Sequence, residues 1–232
     1  MSPSLPAIPE PTRGWMFRFE ALHGHRASLP AIFRGLGATR ALRAIAGVVR
    51  RQAFGPDPLA ALGPDNPADV EDWLARRQLR PLLWLDDTLT YDLRLSDAER
   101  SAVLKEVVGA TGAAFLGQLF PAITPEAWQT ASEADRINLV RRTFRRFGNI
   151  AEADVFPSDT GVGFDVLRCR FHRMVNALNR PDLGPLFCEA DFVYFSRPNG
   201  MYSFERTTTR ANGGPVCDFR LTWKDAPPQE ST

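Results

Sequence analysis

Residues 204–220 have the sequence FERTTTRANGGPVCDFR, in which a glycine-rich turn separates two stretches typical of β-strands. Aromatic and β-branched side chains, which favour extended backbone, recur through residues 202–210 and 216–223. Asn212-Gly213-Gly214-Pro215 lies between them, and glycine supplies the positive backbone angles that a tight turn requires. We therefore predict a β-hairpin near the end of the chain.

The segment before this hairpin combines two short strands with two helices. Residues 153–156 and 163–168 are predicted strands, joined by a turn rich in Pro, Ser, Asp and Gly. Residues 169–178 and 181–195 are predicted helices, and Asn199-Gly200 is a strong turn signal. The last third of the chain therefore predicts an antiparallel sheet accompanied by helices.

Helix signals dominate the first two-thirds of the chain. Ser96 and Glu99 form a capping box, in which each side chain bonds the other residue's backbone amide, and the helix should run to Leu119. Further helices are predicted over 29–54, with a break near Gly35 and Gly37, and after N-caps at Asn66, Thr124 and Ser132. This order predicts an α+β fold, with the helical N-terminal two-thirds packed on a small antiparallel sheet formed mainly by the C-terminal third.

The length and composition fit one globular domain. A chain of 232 residues buries roughly 70% of its unfolded surface as a single core, and 44% hydrophobic with 24% charged residues is ordinary for a globular protein. We expect a single α+β domain over residues 14–223. Loose tails are expected on either side of it, at residues 1–13 and 224–232.

Charge and hydropathy argue against several classes of partner. The 28 basic and 27 acidic side chains give a net charge of +1, so no bulk field attracts nucleic acid or an anionic membrane. The longest uncharged stretch, residues 107–124, is interrupted by glycines and a proline and is shorter than the ~20 apolar residues of a membrane helix. We expect a cytoplasmic protein that acts on a small-molecule substrate. Whether it forms a homo-oligomer is left undecided by the sequence. Its three cysteines should then remain thiols or ligands.

Three cysteine-containing motifs follow one another across about sixty residues. Arg168-Cys169 lies where a predicted strand meets a helix, Cys188-Glu189-Ala190-Asp191 lies on the next helix, and the hairpin carries an arginine–threonine strand, a glycine turn and Cys217-Asp218-Phe219. In this order they resemble the signature of the L-2-amino-thiazoline-4-carboxylic acid hydrolase family. A fainter similarity reaches the 4-vinyl-reductase-type small-molecule-binding domains, which are related to transport-particle subunits.

The resemblance implies a ring-opening hydrolysis. Water adds at an amidine-like carbon of a thiazoline ring, and the product is an N-carbamoyl thiol amino acid. Such a reaction needs a nucleophile or activated water, a proton donor for the leaving sulfur, and a cation for the substrate carboxylate. The resemblance to 4-vinyl-reductase-type domains implies helices packed on an antiparallel sheet, a fold that also binds ligands without turning them over.

The cysteines and one carboxylate are the candidates for the chemistry. Cys217 shares a strand face with Phe219 and Leu221, so it is either a nucleophile or a small core residue. Cys188 and Asp191 are three residues apart on a helix and therefore neighbours. A carboxylate beside a thiol raises the thiol pKa, so this pair alone makes no thiolate; it would bind a metal, or Asp191 would activate water. Cys169 lies at the start of a predicted helix, where the helix dipole favours its ionised form. It is assigned to substrate binding, with packing in the core as the alternative.

Three further residues complete the predicted site. Arg206 is the best clamp for a substrate carboxylate, because its planar fork matches a carboxylate; a structural salt bridge is the alternative. Thr208, two residues along the same predicted strand, would add a hydroxyl contact. His172 is placed four residues before Asn176 on the Cys169 helix and is a candidate proton shuttle, or a partly exposed structural histidine.

Two other functions remain open at this point. The hydrolase is expected to act through a cysteine-lined pocket, and the first alternative is a non-catalytic sensor of the 4-vinyl-reductase type that holds a small molecule or a metal in that pocket. The second is a structural protein that binds a partner. No cofactor is predicted, and no specific motif supports a metal, although the cysteines would be its ligands.

Overall fold

The computed structural model describes residues 11–66, 68–120, 123–148, 150–197 and 202–224. Its helices, in chain order, are α1 (Arg13–Phe19), α2 (His25–Phe54), α3 (Val70–Asp87), α4 (Asp97–Leu119), α5 (Pro125–Thr130), α6 (Glu133–Arg145), α7 (Arg170–Ala177) and α8 (Gly184–Phe195). Its strands are β1 (Ala151–Ser158), β2 (Gly161–Cys169), β3 (Tyr202–Glu205) and β4 (Cys217–Trp223).

The strands form one antiparallel sheet in the order β1-β2-β4-β3. All of them come from the C-terminal third, and the helices before them pack on the sheet. The predicted α+β fold is therefore confirmed. Along β4 the residues Cys217, Phe219 and Leu221 are buried and the residues between them are more exposed, as the alternation of side chains predicts.

Helix signals located most of the helices. The Ser96–Glu99 capping box is present at the start of α4, which ends at Leu119. Thr124 and Ser132 cap α5 and α6 through their side-chain oxygens. The predicted break in the long second helix occurs at Gly37, whose φ of 71° lies in the left-handed region.

One predicted N-cap is wrong. Asn66 does not cap α3; its side chain accepts the amide of Ala68 in a turn, at 3.0 Å. The cap is Asp69, whose carboxylate accepts the Asp72 amide at 2.8 Å, so the helix begins at Val70. A carboxylate at this position also interacts favourably with the positive end of the helix dipole, which favours Asp69 over the nearby asparagine as the cap.

The predicted final hairpin is also wrong in its length. Strand β3 ends at Glu205 rather than at residue 210, and residues 206–216 form a long connection with a 3₁₀ turn at Arg210–Asn212. Pairing between β3 and β4 stops at Glu205 and Arg220. The reason is that the backbone amides of Thr207 and Thr208 bond the Asp218 side chain instead of a neighbouring strand.

Two predictions fall on the edges of the described ranges. The Asn199-Gly200 turn lies outside the described residues, as do most of the two predicted tails; within the first tail, Thr12 caps α1 and Arg13 begins it. No helix in the described part of the chain has the length and apolar character that crossing a bilayer requires.

Close packing of α4 against α8 fixes the position of the C-terminal helix. A Cβ on Gly112 of α4 would lie 2.3 Å from the Cβ of Ala190 on α8, so only glycine permits this approach. The helix α8 also meets the buried face of the sheet, where Phe195 lies edge-on to Phe219 with ring centroids 6.3 Å apart. The sheet and α8 therefore face each other at the start of β4.

Candidate active site

The three cysteines meet where α8 faces the sheet. Cys169 ends β2, Cys188 lies on α8, and Cys217 begins β4 in register with Val166. All three are free cysteines, outside any disulfide, and Cys217 is 6% exposed. Cys188 hydrogen-bonds Cys217, and Cys169 interacts electrostatically with Cys217 and Asp191. Residues far apart in the sequence thus form one cluster of thiols.

Cys217 is the thiolate of this cluster. It accepts a hydrogen bond from Cys188 and another from the Arg210 amide at 3.2 Å, and the positive charges of Arg206 and Arg210 face it. Burial opposes ionisation, yet these interactions lower the pKa of Cys217 to about 6. The same hydrogen bond raises the pKa of Cys188, because that thiol must keep its proton to donate it, and burial and Asp191 raise it further.

Cys169 stays protonated. Burial is the largest cause and raises its pKa to about 11. The backbone amides of His172 and Phe171, at the start of α7, donate to the sulfur and oppose this change. The start of the helix therefore lowers the pKa of Cys169, as predicted, but desolvation raises it by more.

Arg206 and Asp191 form an ion pair beside the thiols. Nη1 of Arg206 lies 3.1 Å from Oδ2 of Asp191, and Nη2 donates to the Cys188 carbonyl at 3.0 Å. The guanidinium carbon lies 5.1 Å from the ring centre of Phe219 and 5.6 Å from that of Phe204. The Arg206 side chain is 11% exposed, so the charge is held in a fixed position between two rings and a carboxylate.

Asp191 keeps its proton to an unusually high pH. Although a quarter of its side-chain surface is exposed, desolvation is the largest cause and raises its pKa to about 7. Arg206 opposes this change, and the negative charge of Cys217 reinforces it. Near neutral pH the cluster therefore combines a thiolate, a carboxyl group that can give or take a proton, and a fixed cation.

The loop before β4 is organised by Asp218. Its carboxylate accepts the amides of Thr207 and Thr208, at 3.0 and 2.6 Å, and the Thr207 hydroxyl at 2.5 Å. Burial works against ionisation, but these bonds together lower the pKa of Asp218. The loop held in this way carries the Arg210 amide to Cys217, so Asp218 supports the thiolate from the opposite face of the strand.

Two glycines make the turn of this loop. Gly213 has φ of 85° and ends the 3₁₀ turn in the left-handed region. A Cβ on Gly214 would lie 1.9 Å from Oγ1 of Thr208 and 2.9 Å from the carbonyl oxygen of Thr209. The glycine pair of the sequence motif is thus explained by backbone angle at one position and by close approach at the next.

The two remaining predicted site residues have local contacts. Thr208 lies in the loop and not on a strand face shared with Arg206, so that part of the prediction is wrong. His172 is half-buried on α7; Nδ2 of Asn176 lies 3.2 Å from its Nε2 and donates to its carbonyl oxygen at 2.6 Å. Its backbone amide bonds Cys169, whereas its role as a proton shuttle stays a prediction.

A model of the L-2-amino-thiazoline-4-carboxylic acid hydrolase family matches residues 95–221, a little over half of the chain. The chain belongs to this family. No curated protein matches it, and no solved structure does.

The family match runs from the start of α4 to β4. It therefore includes the capping box, all three cysteines, Asp191 and Arg206, and leaves α1 to α3 outside. A small-molecule substrate follows from the family. Within the described ranges, no three His, Cys, Asp or Glu side chains are placed to hold a metal ion together.

Sequence reasoning missed two contributors to this hydrolase-family site. One is the Arg210 backbone amide, which no side-chain pattern encodes. The other is Asp218, to which the sequence analysis assigned no role beyond its place in the Cys217-Asp218-Phe219 motif. The Cys217-Asp218-Phe219 motif did contain the signal, because an aspartate directly after a strand-initiating cysteine can reach the amides of the preceding loop.

Proposed function

We propose that this protein is a hydrolase that opens a small cyclic thiazoline- or amidine-type carboxylate, with Cys217 as the nucleophile. The observation that carries the proposal is the contact of Cys217 with the Cys188 thiol and the Arg210 amide beside the Arg206 guanidinium. A buried sulfur supplied with hydrogen bonds and a cation is ionised near neutral pH, which is the state that attacks carbon.

Arg206 is assigned to the substrate carboxylate. Its guanidinium has five N–H donors, of which the contacts to Asp191 and the Cys188 carbonyl use only part. A substrate carboxylate on the remaining donors adds a second negative charge next to Asp191. Like charges raise a carboxyl pKa, so substrate binding drives Asp191 to its protonated form, in which it is an acid.

The reaction then proceeds in two steps. The Cys217 sulfur attacks the amidinium carbon of the ring, the bond from that carbon to the ring sulfur breaks, and Asp191 gives its proton to the leaving sulfur. Water next adds to the same carbon while the Asp191 carboxylate takes a proton, and Cys217 leaves again as a thiolate. The net change consumes one water, yields the N-carbamoyl thiol amino acid and returns the amidinium proton to solvent.

The direct test is incubation with 2-amino-thiazoline-4-carboxylate, with the N-carbamoyl product followed by mass spectrometry. We expect turnover by the native protein, loss of at least about a hundredfold in Cys217→Ser, and an intermediate loss in Cys188→Ser. Cys169→Ser is the matched control, because that thiol is protonated at neutral pH. Full activity in both Cys217→Ser and Cys188→Ser removes the cysteine mechanism.

The arginine assignment has its own control. Arg206→Lys keeps the positive charge but loses the planar fork of the guanidinium, so KM should rise. The control is Arg220→Lys, which changes an arginine that pairs with Asp165 and is 43% exposed, and its KM should equal that of the native protein. Stoichiometric zinc that is lost in a Cys188 and Cys217 double variant, together with no turnover of the thiazoline, replaces this proposal with a metal-binding domain.

A further inference from the structure

The Cys188 and Cys217 thiols form an unequal pair. Cys188 donates its S–H to Cys217, so Cys217 is the ionised sulfur and Cys188 keeps its proton. Cys217 is 6% exposed, whereas Cys188 on α8 is only half-buried. In the ring-opening reaction Asp191 transfers the protons, and the Cys188 sulfur forms no bond. The pair therefore has a chemistry that the hydrolase reaction does not use.

A thiolate of this kind attacks a hydroperoxide. The O–O bond breaks, the sulfur becomes a sulfenic acid, and the other oxygen leaves with the electron pair. That oxygen needs a proton, and the Asp191 carboxyl group beside the thiols, with a pKa of about 7, supplies one near neutral pH. The positive charge of Arg206, which faces Cys217, stabilises the oxygen as it leaves. Hydrogen peroxide is little larger than water and therefore suits a sulfur that has so little exposed surface.

Cys188 is placed to trap the sulfenic acid. A thiol condenses with a sulfenic acid to form a disulfide and water. The Cys188 sulfur is already in hydrogen-bond contact with that of Cys217, and a disulfide brings two sulfurs to about 2 Å. Cys169 is held differently, because its sulfur accepts the backbone amides of His172 and Phe171. The contacts therefore select Cys188 as the partner of Cys217.

The same asymmetry makes the disulfide reducible. An attacking thiolate needs access to one sulfur of a disulfide, and the sulfur whose thiol has the lower pKa leaves more readily. Cys188 is the more exposed of the two, and the pKa of Cys217 is about 6. An external dithiol is thus directed to Cys188 and releases Cys217 as a thiolate, which is the state that begins another cycle.

We propose that Cys217 and Cys188 form a two-cysteine centre that reduces hydrogen peroxide with electrons from a dithiol. In the first step Cys217 takes one oxygen of the peroxide, and the other oxygen leaves as water with the proton of Asp191. In the second step Cys188 displaces water from the sulfenic acid, and the disulfide forms. The dithiol then gives two electrons and two protons, one proton to Cys188 and one to Asp191. In sum, one peroxide and one dithiol become two waters and one donor disulfide.

The test begins without a reductant and without the thiazoline. One equivalent of hydrogen peroxide should remove two of the three thiols of the native chain, lower its mass by about 2 Da and join Cys188 to Cys217. Cys188→Ser should instead lose one thiol and keep a sulfenic acid that dimedone traps. In Cys169→Ser the bridge between Cys188 and Cys217 should still form. Peptide mapping by mass spectrometry identifies the bridge in each case.

Dithiothreitol then tests for turnover. Cys217 is roughly 90% ionised at pH 7 and an ordinary thiol of pKa about 8.5 only roughly 3%, so the native protein should consume peroxide at least about tenfold faster per sulfur than dithiothreitol alone. Cys217→Ser, with its fold checked by circular dichroism, should return the rate to that background.

Three results overturn the proposal. They are equal rates of peroxide consumption in the native protein and in Cys217→Ser, a bridge that includes Cys169, and a sulfenic acid that persists in the native protein. Ring opening of the thiazoline is measured separately. Ring opening without peroxide reduction refutes this two-cysteine centre alone, and peroxide reduction without ring opening refutes the hydrolase alone.

Discussion

Replacing Cys188 by alanine removes the S–H group that Cys217 accepts, and this hydrogen bond is the largest cause of the low Cys217 pKa. A hydrogen bond to a charged group contributes about 1.5–3 kcal/mol, which corresponds to a pKa change of about 1–2. The Arg210 amide and the Arg206 charge remain in the variant. We therefore expect the pKa of Cys217 to rise from about 6 to between about 7 and about 8.

The consequence at pH 7 is a smaller population of thiolate. A thiol of pKa about 6 is roughly 90% ionised at pH 7, and one of pKa 7 to 8 is roughly 50% to 10% ionised. Because only the thiolate is alkylated, the rate of reaction with iodoacetamide at pH 7 should fall about twofold to ninefold. At pH 9.5 the two rates should converge.

The assay is the rate of Cys217 alkylation as a function of pH, with each cysteine peptide quantified by mass spectrometry. Cys169→Ala is the control, and its Cys217 titration should match that of the native protein. Cys169 itself, with a pKa of about 11, should stay unlabelled at pH 7. The reasoning is refuted if Cys217 titrates at the same pH in Cys188→Ala and in the native protein, or if Cys188 is the residue labelled first.

Three more outcomes are expected. The pH profile of kcat/KM for the thiazoline should be bell-shaped, because it rises through pH about 6 as Cys217 ionises and falls through pH about 7 as Asp191 loses its proton. Asp191→Asn should lower the rate and remove the fall at high pH. If that fall is unchanged in the variant, Asp191 is not the acid. Hydrogen peroxide should oxidise the Cys217 thiolate to a sulfenic acid, which the Cys188 thiol converts to a disulfide with release of water; peptide mapping with and without dithiothreitol checks this, and a bridge to Cys169 argues against the described contact. Gly214→Ala should destabilise the protein by about 1–3 kcal/mol and slow Cys217 alkylation, because the added carbon would meet Thr208; a denaturant titration in which the variant equals the native protein contradicts this.

Local signals in the sequence predicted the fold well where the interaction itself is local. The capping box at Ser96 and the caps at Thr124 and Ser132 join residues three apart, so the sequence contains both partners. The alternation of Cys217, Phe219 and Leu221 likewise needed only strand periodicity. At Asn66 two competing caps lay within three residues, and the pattern did not distinguish them.

The sequence predicted which residues form the thiol cluster but not their electrostatics, and the catalytic role of these residues stays a prediction. The order of the cysteine motifs led to Cys188, Cys217, Asp191 and Arg206, which do come together. The sequence predicted that Asp191, which neighbours Cys188 on the helix, would raise the pKa of the Cys188 thiol, and the structure shows this direction. The ionised sulfur is Cys217, because a donor from another helix and an amide from an irregular loop converge on it, and neither contact follows from sequence spacing.

The loop length was wrong for a related reason. Thr207 and Thr208 have strong β-propensity, and the sequence therefore predicted a strand through residue 210. The carboxylate of Asp218 offers their amides charge-assisted hydrogen bonds, which are stronger than those of a strand ladder. A side chain ten residues away along the chain thus overrides the local preference.

Assembly of the thiol cluster from β2, α8 and β4 means that its reactivity is a property of tertiary structure alone. A chain in which α8 has not yet docked contains the same sulfur atoms, but none of them receives the converging donors, and each is an ordinary thiol. At neutral pH a smaller fraction of each sulfur is then the reactive thiolate. The acidity of one sulfur atom also reports whether the C-terminal third has reached its native arrangement.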